Sequence, residues 1–310
     1  MKSELYFTTS DGQQIFTRIY EPTAGVKMRG YVHMLHGMAE HSGRYVPFCE
    51  LLADLGYFIV LHDHRGHGKT AQANGKLGFF AHDNGFERVV ADVFELVTYV
   101  RQTYALPRPI MFGHSMGSFI LRRFLQLHSE HVEAAILSGT GNTTPLHAAG
   151  HQLAKVLARL HGPDVESPIM NELSFGSFNK QIVNPLTAFD WLTRDHQHVQ
   201  QYIDDPQCGF VATNQFFIDL TGGLLTINQT NQIARIRADL PILCLSGSAD
   251  PVGGINADGV FRVAEKMQRA GLKNVAVFIF EGMRHEILNE VNKEHVYEVV
   301  TRWLKNEQTI

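Results

Sequence analysis

The pentapeptide GHSMG places Ser115 between Gly113 and Gly117 at a point where an apolar run gives way to a helical pattern. The run PIMF before it predicts a buried strand, and the segment from Met116 onward predicts a helix. A serine on such a strand-to-helix turn is the arrangement of a nucleophile elbow, in which small flanking residues let two backbones pass closely. A helix N-terminus behind the serine favours developing negative charge. The pattern also arises by chance, so the rest of the chain has to support it.

A serine hydroxyl is a weak nucleophile that needs a base, and the base needs an acid to orient it. Asp250 follows the apolar run PILCLSG and His285 follows NVAVFIF, so each comes just after a predicted strand. Alone, Asp250 is typical of a turn or helix cap, and His285 of a surface histidine. Their order after the elbow predicts a catalytic triad of Ser115, Asp250 and His285.

Ester or amide cleavage through a serine also needs donors for the oxyanion of the tetrahedral intermediate. One predicted donor is the backbone amide of Met116, the residue after the nucleophile. The other is the amide of Met38, in the loop His36-Gly37-Met38-Ala39 that follows the apolar run YVHML. In the alternative interpretation, Gly37 only permits a tight exit from the strand.

Composition excludes several classes of protein. The chain has 310 residues, 44% of them hydrophobic and 19% charged, with a net charge of −4. It has no basic excess of the kind that nucleic-acid binders carry, no run of eighteen apolar residues, and no secretory h-region in MKSELYFTTSDG. The three cysteines, Cys49, Cys208 and Cys244, are odd in number and widely spaced, which disfavours disulfides or a zinc site. We therefore expect a cytoplasmic protein.

The 17 histidines are scattered and show no metal-ligand spacing. Pairs such as His62/His64 and His196/His198 are interpreted as loop and surface residues, and no metal or cofactor is expected. The stretch DHRGHG, residues 63–68, is assigned a structural role in a sharp loop rather than a metal or phosphate site.

Strand-like and helical segments alternate along most of the chain. ELYFTT and QIFTRIY, separated by Ser10-Asp11-Gly12, predict an antiparallel hairpin, and unbroken apolar runs such as YFIVL and AAILS predict strands of a parallel sheet. Helices are predicted over 45–55, 86–104, 116–128, 257–270 and 291–304. The fold class is therefore α/β, a mostly parallel sheet flanked by helices. The alternation of strand-like and helical segments is interrupted at 141–238. This interruption predicts a helical cap inserted between two parts of the core, 1–140 and 239–310.

The cap is expected to decide the substrate. Its apolar side chains either line an acyl channel or form the cap's own core; the candidates are Phe175, Phe178, Phe210, Phe216, Phe217 and Leu224. An amphipathic helix from Ala149 to Leu160, with Lys155 and Arg159 on its polar face, either touches a membrane surface or packs on the core.

Five blocks, LHGMAEHSGRY, HDHRGHGKT, GHSMGS, SGSADPV and GMRHEILNE, resemble in order and spacing the monoacylglycerol lipase and lysophospholipase family of α/β-hydrolases. The segment NPLTAFDWLTRDHQHVQQYIDDPQCGF looks like the bacterial lysophospholipase-like branch of this serine aminopeptidase-like group. The resemblance implies an α/β-hydrolase fold with a cap, the triad and oxyanion amides named above, no cofactor, and cleavage of single-chain acyl esters. One departure is Gly37-Met38-Ala39, where animal lipases tend to have a second glycine.

Three functions stay open on the sequence. The first is a serine esterase acting on monoacylglycerol or lysophospholipid through an acyl-enzyme. The second is a capped serine aminopeptidase, which needs a carboxylate to hold the substrate amine; the cap offers Glu172, Asp190, Asp204, Asp205 and Asp219. The third is a non-catalytic binding protein of the same fold. The oligomeric state is left open.

Overall fold

One eight-stranded sheet organises the protein in a computed structural model that describes residues 2–306. The strand order is β1-β2-β4-β3-β5-β6-β7-β8, with β1 and β2 antiparallel and the strands from β4 onward parallel. The strands are β1 Lys2–Thr8, β2 Gln14–Tyr20, β3 Gly30–Leu35, β4 Tyr57–His62, β5 Ile110–His114, β6 Ala134–Ser138, β7 Ile242–Gly247 and β8 Val275–Phe280. The predicted hairpin and parallel sheet are both present.

Helices cover both faces of the sheet. They are α1 Val46–Asp54, α2 Gly68–Asn74, α3 Gly85–Thr103, α4 Met116–His128, α5 Pro145–His161, α6 Pro168–Phe175, α7 His196–Asp204, α8 Asn214–Ile227, α9 Thr230–Ile233, α10 Asp258–Arg269 and α11 Lys293–Asn306. Helices α1 and α11 pack on one face, and α3, α4 and α10 pack on the other. Successive residues of the strands alternate between the two cores, as Ile136 and Leu137 of β6 do, which explains why these strands are apolar without alternation.

The five predicted core helices match α1, α3, α4, α10 and α11 with boundaries that differ by no more than two residues. Apolar residues at helical spacing, such as Val89, Val93 and Val97 of α3, face the sheet and fix these elements. The described chain has no helix long and apolar enough to cross a membrane.

Between β6 and β7 the chain forms helices α5 to α9 and no strand of the sheet. Helix α8 packs against α3, α4 and α5, where it buries Phe216 and Phe217. Helix α5 contributes Ala154 and Leu157 to the same core, while Val156 and Leu160 are exposed. The helix is thus packed on the body of the protein along one face only.

The interpretation of His62 and His64 as surface residues is wrong, because β4 lies inside the sheet and its end is covered by loops. The hydroxyl of Tyr31 and three imidazoles form a buried chain: Tyr31 Oη lies 2.6 Å from His33 Nδ1, His33 Nε2 3.1 Å from His62 Nδ1, and His62 Nε2 3.1 Å from His64 Nδ1. His196 is exposed and His198 is partly exposed, as expected.

Charged side chains of the DHRGHG loop fix its conformation through hydrogen bonds and an ion pair. The Asp63 carboxylate accepts hydrogen bonds from the amides of Ser42 and Lys69, both at 2.8 Å. Arg65 is buried in an ion pair with Asp92. These contacts favour the predicted structural role for the motif.

Candidate active site

Ser115 lies between β5 and α4 in a strained backbone conformation, with φ 51° and ψ −120°. The flanking glycines are required by close backbone approach. A Cβ on Gly113 would lie 2.5 Å from the carbonyl oxygen of Gly117, and a Cβ on Gly117 would lie 2.3 Å from that of Leu35. The Ser115 amide donates to the carbonyl of Ser138 at 2.8 Å, which ties the turn to β6. The sequence GHSMG therefore forms a sharp turn that presents the serine at the end of the strand.

His285 and Asp250 form a buried pair at the ends of β8 and β7. The distance from His285 Nδ1 to Asp250 Oδ1 is 2.9 Å, and Asp250 also accepts from the Val252 amide at 2.9 Å and the Ser246 hydroxyl at 3.2 Å. The carboxylate therefore fixes the ring and leaves Nε2 as the nitrogen available to act on a substrate or on Ser115. Both Ser115 and His285 line one cavity.

The charges of this pair reinforce each other. Burial by itself raises the pKa of Asp250, but the attraction and hydrogen bond of His285 bring it below its ordinary value. Burial lowers the pKa of His285, but Asp250, with smaller contributions from Glu286 and Glu40, raises it above its ordinary value. The Asp250 carboxylate thus stabilises the imidazolium that His285 would become on accepting a proton.

A second histidine, His114, packs on the first. Its ring centroid lies 4.6 Å from that of His285, and its Nδ1 lies 3.2 Å from the Ser138 hydroxyl. Burial and the neighbouring His285 lower the pKa of His114 to about 4. His114 is therefore neutral when His285 takes up a proton. Trp191 packs against His285 from the cap, with ring centroids 5.2 Å apart.

Two backbone amides, those of Met38 and Met116, remain the predicted donors to an oxyanion. Met116 is the first residue of α4, so its amide has no acceptor within the helix. Met38 lies in the loop after β3, and no other group in residues 2–306 accepts from its amide. The Gly37 amide donates to Glu40 at 2.5 Å, and a Cβ on Gly37 would lie 2.6 Å from the same oxygen. Gly37 thus permits a tight exit from β3. This role is compatible with the predicted role of the Met38 amide as a donor to the oxyanion.

The cap holds the loop that carries Met38. Ala39 has a left-handed backbone with φ 53°, unfavourable for a residue with a Cβ. Its carbonyl accepts from the Tyr202 hydroxyl and from the Gly209 amide, both at 2.9 Å. These two bonds from the cap stabilise the conformation of the loop.

A buried ion network adjoins the cavity. Arg44 bridges the carboxylates of Glu40 and Glu286, and Tyr45 donates to Glu40 at 2.7 Å. Burial raises the pKa of Glu286, but Arg44 outweighs it and lowers that pKa to about 2. Glu40 and Glu286 both line the cavity, so part of its wall is polar.

The cap closes the cavity with apolar side chains. Of the predicted channel residues, Phe175 and Phe210 line it. Phe178 stands behind them, 5.6 Å from the Phe175 ring and 4.8 Å from that of Trp191. Further lining residues that the sequence did not single out are Ala188, Phe189, Trp191, Leu192 and Tyr202.

The prediction that the channel is lined by Phe216, Phe217 and Leu224 is wrong, because these side chains pack in the core instead. All three are buried in the main core, because α8 directs this face toward α3 and α4 and away from the cavity. Helical spacing in the sequence identifies an apolar face but not its partner, so no local signal separated these residues from Phe175.

The comparisons with known proteins agree with this geometry. A family model described as serine aminopeptidase, S33, matches residues 26–292. The chain belongs to this family.

The relatives of this hydrolase are named lipases and esterases. It is 27% identical to the monoacylglycerol lipase of Mycolicibacterium smegmatis, over 98% of this chain and 97% of that one. It is 26% identical to the human monoglyceride lipase, over 96% and 89% of the two chains. A solved thermostable carboxyl esterase from Bacillus coagulans, in complex with glycerol, superposes with a TM-score of 0.91 at 28% identity, over 99% of both chains. The protein is thus a serine ester hydrolase with the α/β-hydrolase fold.

Proposed function

We propose that the protein hydrolyses single-chain acyl esters, monoacylglycerol in the first place and lysophospholipid in the second, through an acyl-enzyme on Ser115. The observation that carries this proposal is the cavity in which the strained Ser115 and the buried His285–Asp250 pair meet apolar side chains of the cap. The names of the relatives, monoacylglycerol lipase and monoglyceride lipase, support the same class of substrate.

In the first step, Ser115 Oγ attacks the ester carbonyl carbon and its proton passes to His285 Nε2. Asp250 stabilises the imidazolium that forms. The carbonyl oxygen becomes an oxyanion that accepts from the Met38 and Met116 amides. The intermediate then collapses with cleavage of the bond to the alcohol oxygen, and His285 returns its proton to the departing alcohol.

In the second step, water attacks the acyl-enzyme. His285 takes a proton from the water, and a second tetrahedral intermediate forms at the same amides. Its collapse breaks the bond to Ser115 Oγ, which regains the proton from His285, and the fatty acid leaves. The buried position of Asp250 keeps the ring in one orientation through both steps.

The cavity offers both apolar and polar surface, which suits the acyl chain and the glycerol head of a monoacylglycerol. Phe175, Phe189 and Phe210 offer apolar surface to the acyl chain, and each methylene removed from water contributes about 0.8 kcal/mol. In the ion network that adjoins the cavity, the carboxylates of Glu40 and Glu286 share the single guanidinium of Arg44, which leaves a net negative charge there. An uncharged glycerol head fits this charge better than a phosphate, so we place monoacylglycerol ahead of lysophospholipid.

Aminopeptidase activity is the second candidate because Glu172 of α6 lines the same cavity and has the charge needed to hold a substrate amine. The other acidic candidates are engaged elsewhere: Asp190 accepts from Leu186 and Thr187, and Asp219 accepts from the Gly85 amide. The family description also names this activity.

We also propose that the cap touches a membrane surface transiently to collect its lipid. Exposed apolar side chains, Val156 and Leu160 of α5 and Ile169 and Leu173 of α6, lie in consecutive helices of the cap. The three free, buried cysteines fit the reducing cytoplasm in which we place the protein. Sedimentation with phosphatidylglycerol vesicles, lost in the doubly substituted Leu160→Asp, Leu173→Asp protein, tests the contact.

The function is tested by comparing the wild type with Ser115→Ala on p-nitrophenyl esters of rising chain length, a monoacylglycerol, a lysophosphatidylcholine and an aminoacyl-nitroanilide. We expect hydrolysis of the monoacylglycerol and of longer esters, and its loss in the variant. Preference for the anilide that falls in Glu172→Gln would establish the peptidase instead. Equal, negligible rates for both proteins, together with no labelling by a fluorophosphonate, would leave a non-catalytic binding protein.

A further inference from the structure

Three side chains with metal-binding atoms meet where the loop after β3 contacts the cap, and the proposed mechanism uses none of them. They are His41, two residues beyond Ala39; Asp205, which follows α7; and Cys208, three residues later. The imidazole, carboxylate and thiol ligand atoms all lie within 4.8 Å of one another. His41 Nε2 already contacts Asp205 Oδ2 at 2.8 Å. We propose that His41, Asp205 and Cys208 form a binding site for a divalent transition-metal ion, with Zn²⁺ as the preferred ion.

The donor set selects the class of metal. Zn²⁺ takes thiolate sulfur at about 2.3 Å and imidazole nitrogen or carboxylate oxygen at about 2.0–2.2 Å, in tetrahedral geometry. Such ligand atoms lie roughly 3.3–3.6 Å apart. The His41 Nε2–Asp205 Oδ2 pair, at 2.8 Å, must therefore open by about 0.5 Å, and the distances to the Cys208 sulfur must shorten by at most about 1.3 Å. Ca²⁺ and Mg²⁺ prefer all-oxygen sites and are disfavoured by the thiol and the imidazole.

The protons can be accounted for. His41 Nδ1 accepts from the Gly43 amide at 3.1 Å, so the neutral ring carries its proton on Nε2 and donates it to Asp205. When the metal binds Nε2, that proton moves to Nδ1 and the bond from Gly43 is given up. The Cys208 thiol releases its proton to solvent as the thiolate binds. The ion thus has three ligands, two of them negative, and water supplies the fourth.

Charge and access allow the ion to enter. The nearest guanidinium, Arg44, is compensated by Glu40 and Glu286, so an arriving cation does not face an unpaired positive charge. Cys208 is buried, but 31% of the Asp205 side chain and 13% of the His41 side chain are exposed. A path from solvent therefore reaches the site past the carboxylate.

The position of the site gives it a consequence. Cys208 immediately precedes Gly209, whose amide holds the Ala39 carbonyl, and Glu40 between Ala39 and His41 lines the cavity. A bound ion would join the cap to the loop that carries Met38 from the side away from the cavity. If the proposed ester hydrolysis is correct, Zn²⁺ therefore slows turnover by restricting movement of the cap; the binding of the ion does not depend on that function.

The test is a titration of the full, metal-free protein with Co²⁺, which reports thiolate ligation by a charge-transfer band, followed by displacement with Zn²⁺. We expect one ion per chain, loss of the band in Cys208→Ser, and roughly 10- to 100-fold weaker Zn²⁺ binding in Asp205→Asn. The matched control is Cys49→Ser, which removes a buried thiol between α1 and the sheet and keeps the band.

The absence of stoichiometric binding by the wild type would overturn the proposal, as would a band that persists in Cys208→Ser. If Cys208→Ser does not fold, Asp205→Asn decides, and unchanged Zn²⁺ affinity in that variant overturns the site. Turnover is the second measurement: equal inhibition of the wild type and Asp205→Asn by Zn²⁺ would place the inhibitory ion elsewhere. A protein inactive on every ester but positive for the Co²⁺ band would refute the proposed function alone.

Discussion

The α/β core and the cap form opposite walls of the same cavity, and they do so by different means. The core supplies strand ends and backbone amides, held where a single methyl group would collide with a neighbouring carbonyl, as at Gly117. The cap supplies aromatic side chains from α6, from the loops and from α7, such as Phe175 and Tyr202, several of them only partly buried. We therefore expect the core to carry the chemistry and the cap to decide which substrate fits.

The largest effect should come from the core pair His285–Asp250. Asp250→Asn keeps the size of the side chain but offers an N–H to His285 Nδ1, which favours the wrong tautomer of the ring. We expect kcat for a short p-nitrophenyl ester to fall about 10⁴-fold, measured alongside circular dichroism to verify folding. Phe175→Ala in the cap is the comparison, with KM for long-chain esters raised and kcat for the short ester nearly kept. A loss of less than tenfold in Asp250→Asn would remove Asp250 from the triad.

The next effect concerns stability. Gly117→Ala brings a Cβ to 2.3 Å and 2.6 Å from the carbonyl oxygens of Leu35 and His36, so α4 or the end of β3 must move. We expect the free energy of unfolding to fall by about 3 kcal/mol, measured by urea denaturation. Gly150→Ala is the matched control in cap helix α5, where the nearest atom is Met170 Cε at 3.8 Å; it should be neutral or raise stability by up to about 1 kcal/mol. Equal changes in the free energy of unfolding for the two substitutions would contradict the view that the core wall is more tightly packed than the cap.

The α/β core and the cap also differ in how much of their structure the sequence could predict. In the core, strand and helix periods fix the elements, and the order Ser115, Asp250, His285 places three side chains after β5, β7 and β8, at the same edge of the sheet. In the cap, helical spacing marks Phe216 and Phe217 as apolar but not as facing the core. Contacts between distant segments, such as His41 with Asp205, leave no local pattern at all, because only the folded chain brings them together.

Stability against acid should be a property of the core, because its imidazoles are buried. Burial lowers the pKa of His33 and His67 to about 3 and that of His36 to about 4. The native protein keeps these rings neutral while the unfolded chain protonates them near pH 6.5, so stability is lost as pH falls below about 6.5, by up to about 1.4 kcal/mol per pH unit for each ring.

Ionisation of Asp219 changes the folding stability with pH in the opposite direction to that of the buried imidazoles. Burial raises the pKa of Asp219 to about 7, so its protonated form favours the folded state as the pH falls below about 7 and offsets somewhat more than the loss from one imidazole. Urea unfolding between about pH 7.5 and about pH 5.5 measures the sum. The slope should stay unchanged in His196→Gln, because His196 is exposed on the cap. A stability that is flat over this range would show that the buried imidazoles are protonated or hydrated in the native protein.

The smallest effect is expected where the cap contacts the loop after β3 of the core. Tyr202→Phe removes the hydroxyl that donates to the Ala39 carbonyl but keeps the ring over which Arg44 lies, 4.9 Å from the centroid. The Gly209 amide still holds the same carbonyl, so the loop keeps one of its two bonds. A hydrogen bond contributes about 1 kcal/mol, and we expect kcat to fall about fivefold to tenfold with KM nearly unchanged, because the loop carries the Met38 amide, the proposed donor to the oxyanion in the transition state. Tyr297→Phe removes a comparable hydroxyl from α11 of the core, which donates to Leu288 at 3.2 Å, and should leave kcat unaltered. If Tyr202→Phe instead raises KM at constant kcat, the cap contributes to binding alone and has no part in positioning the oxyanion loop.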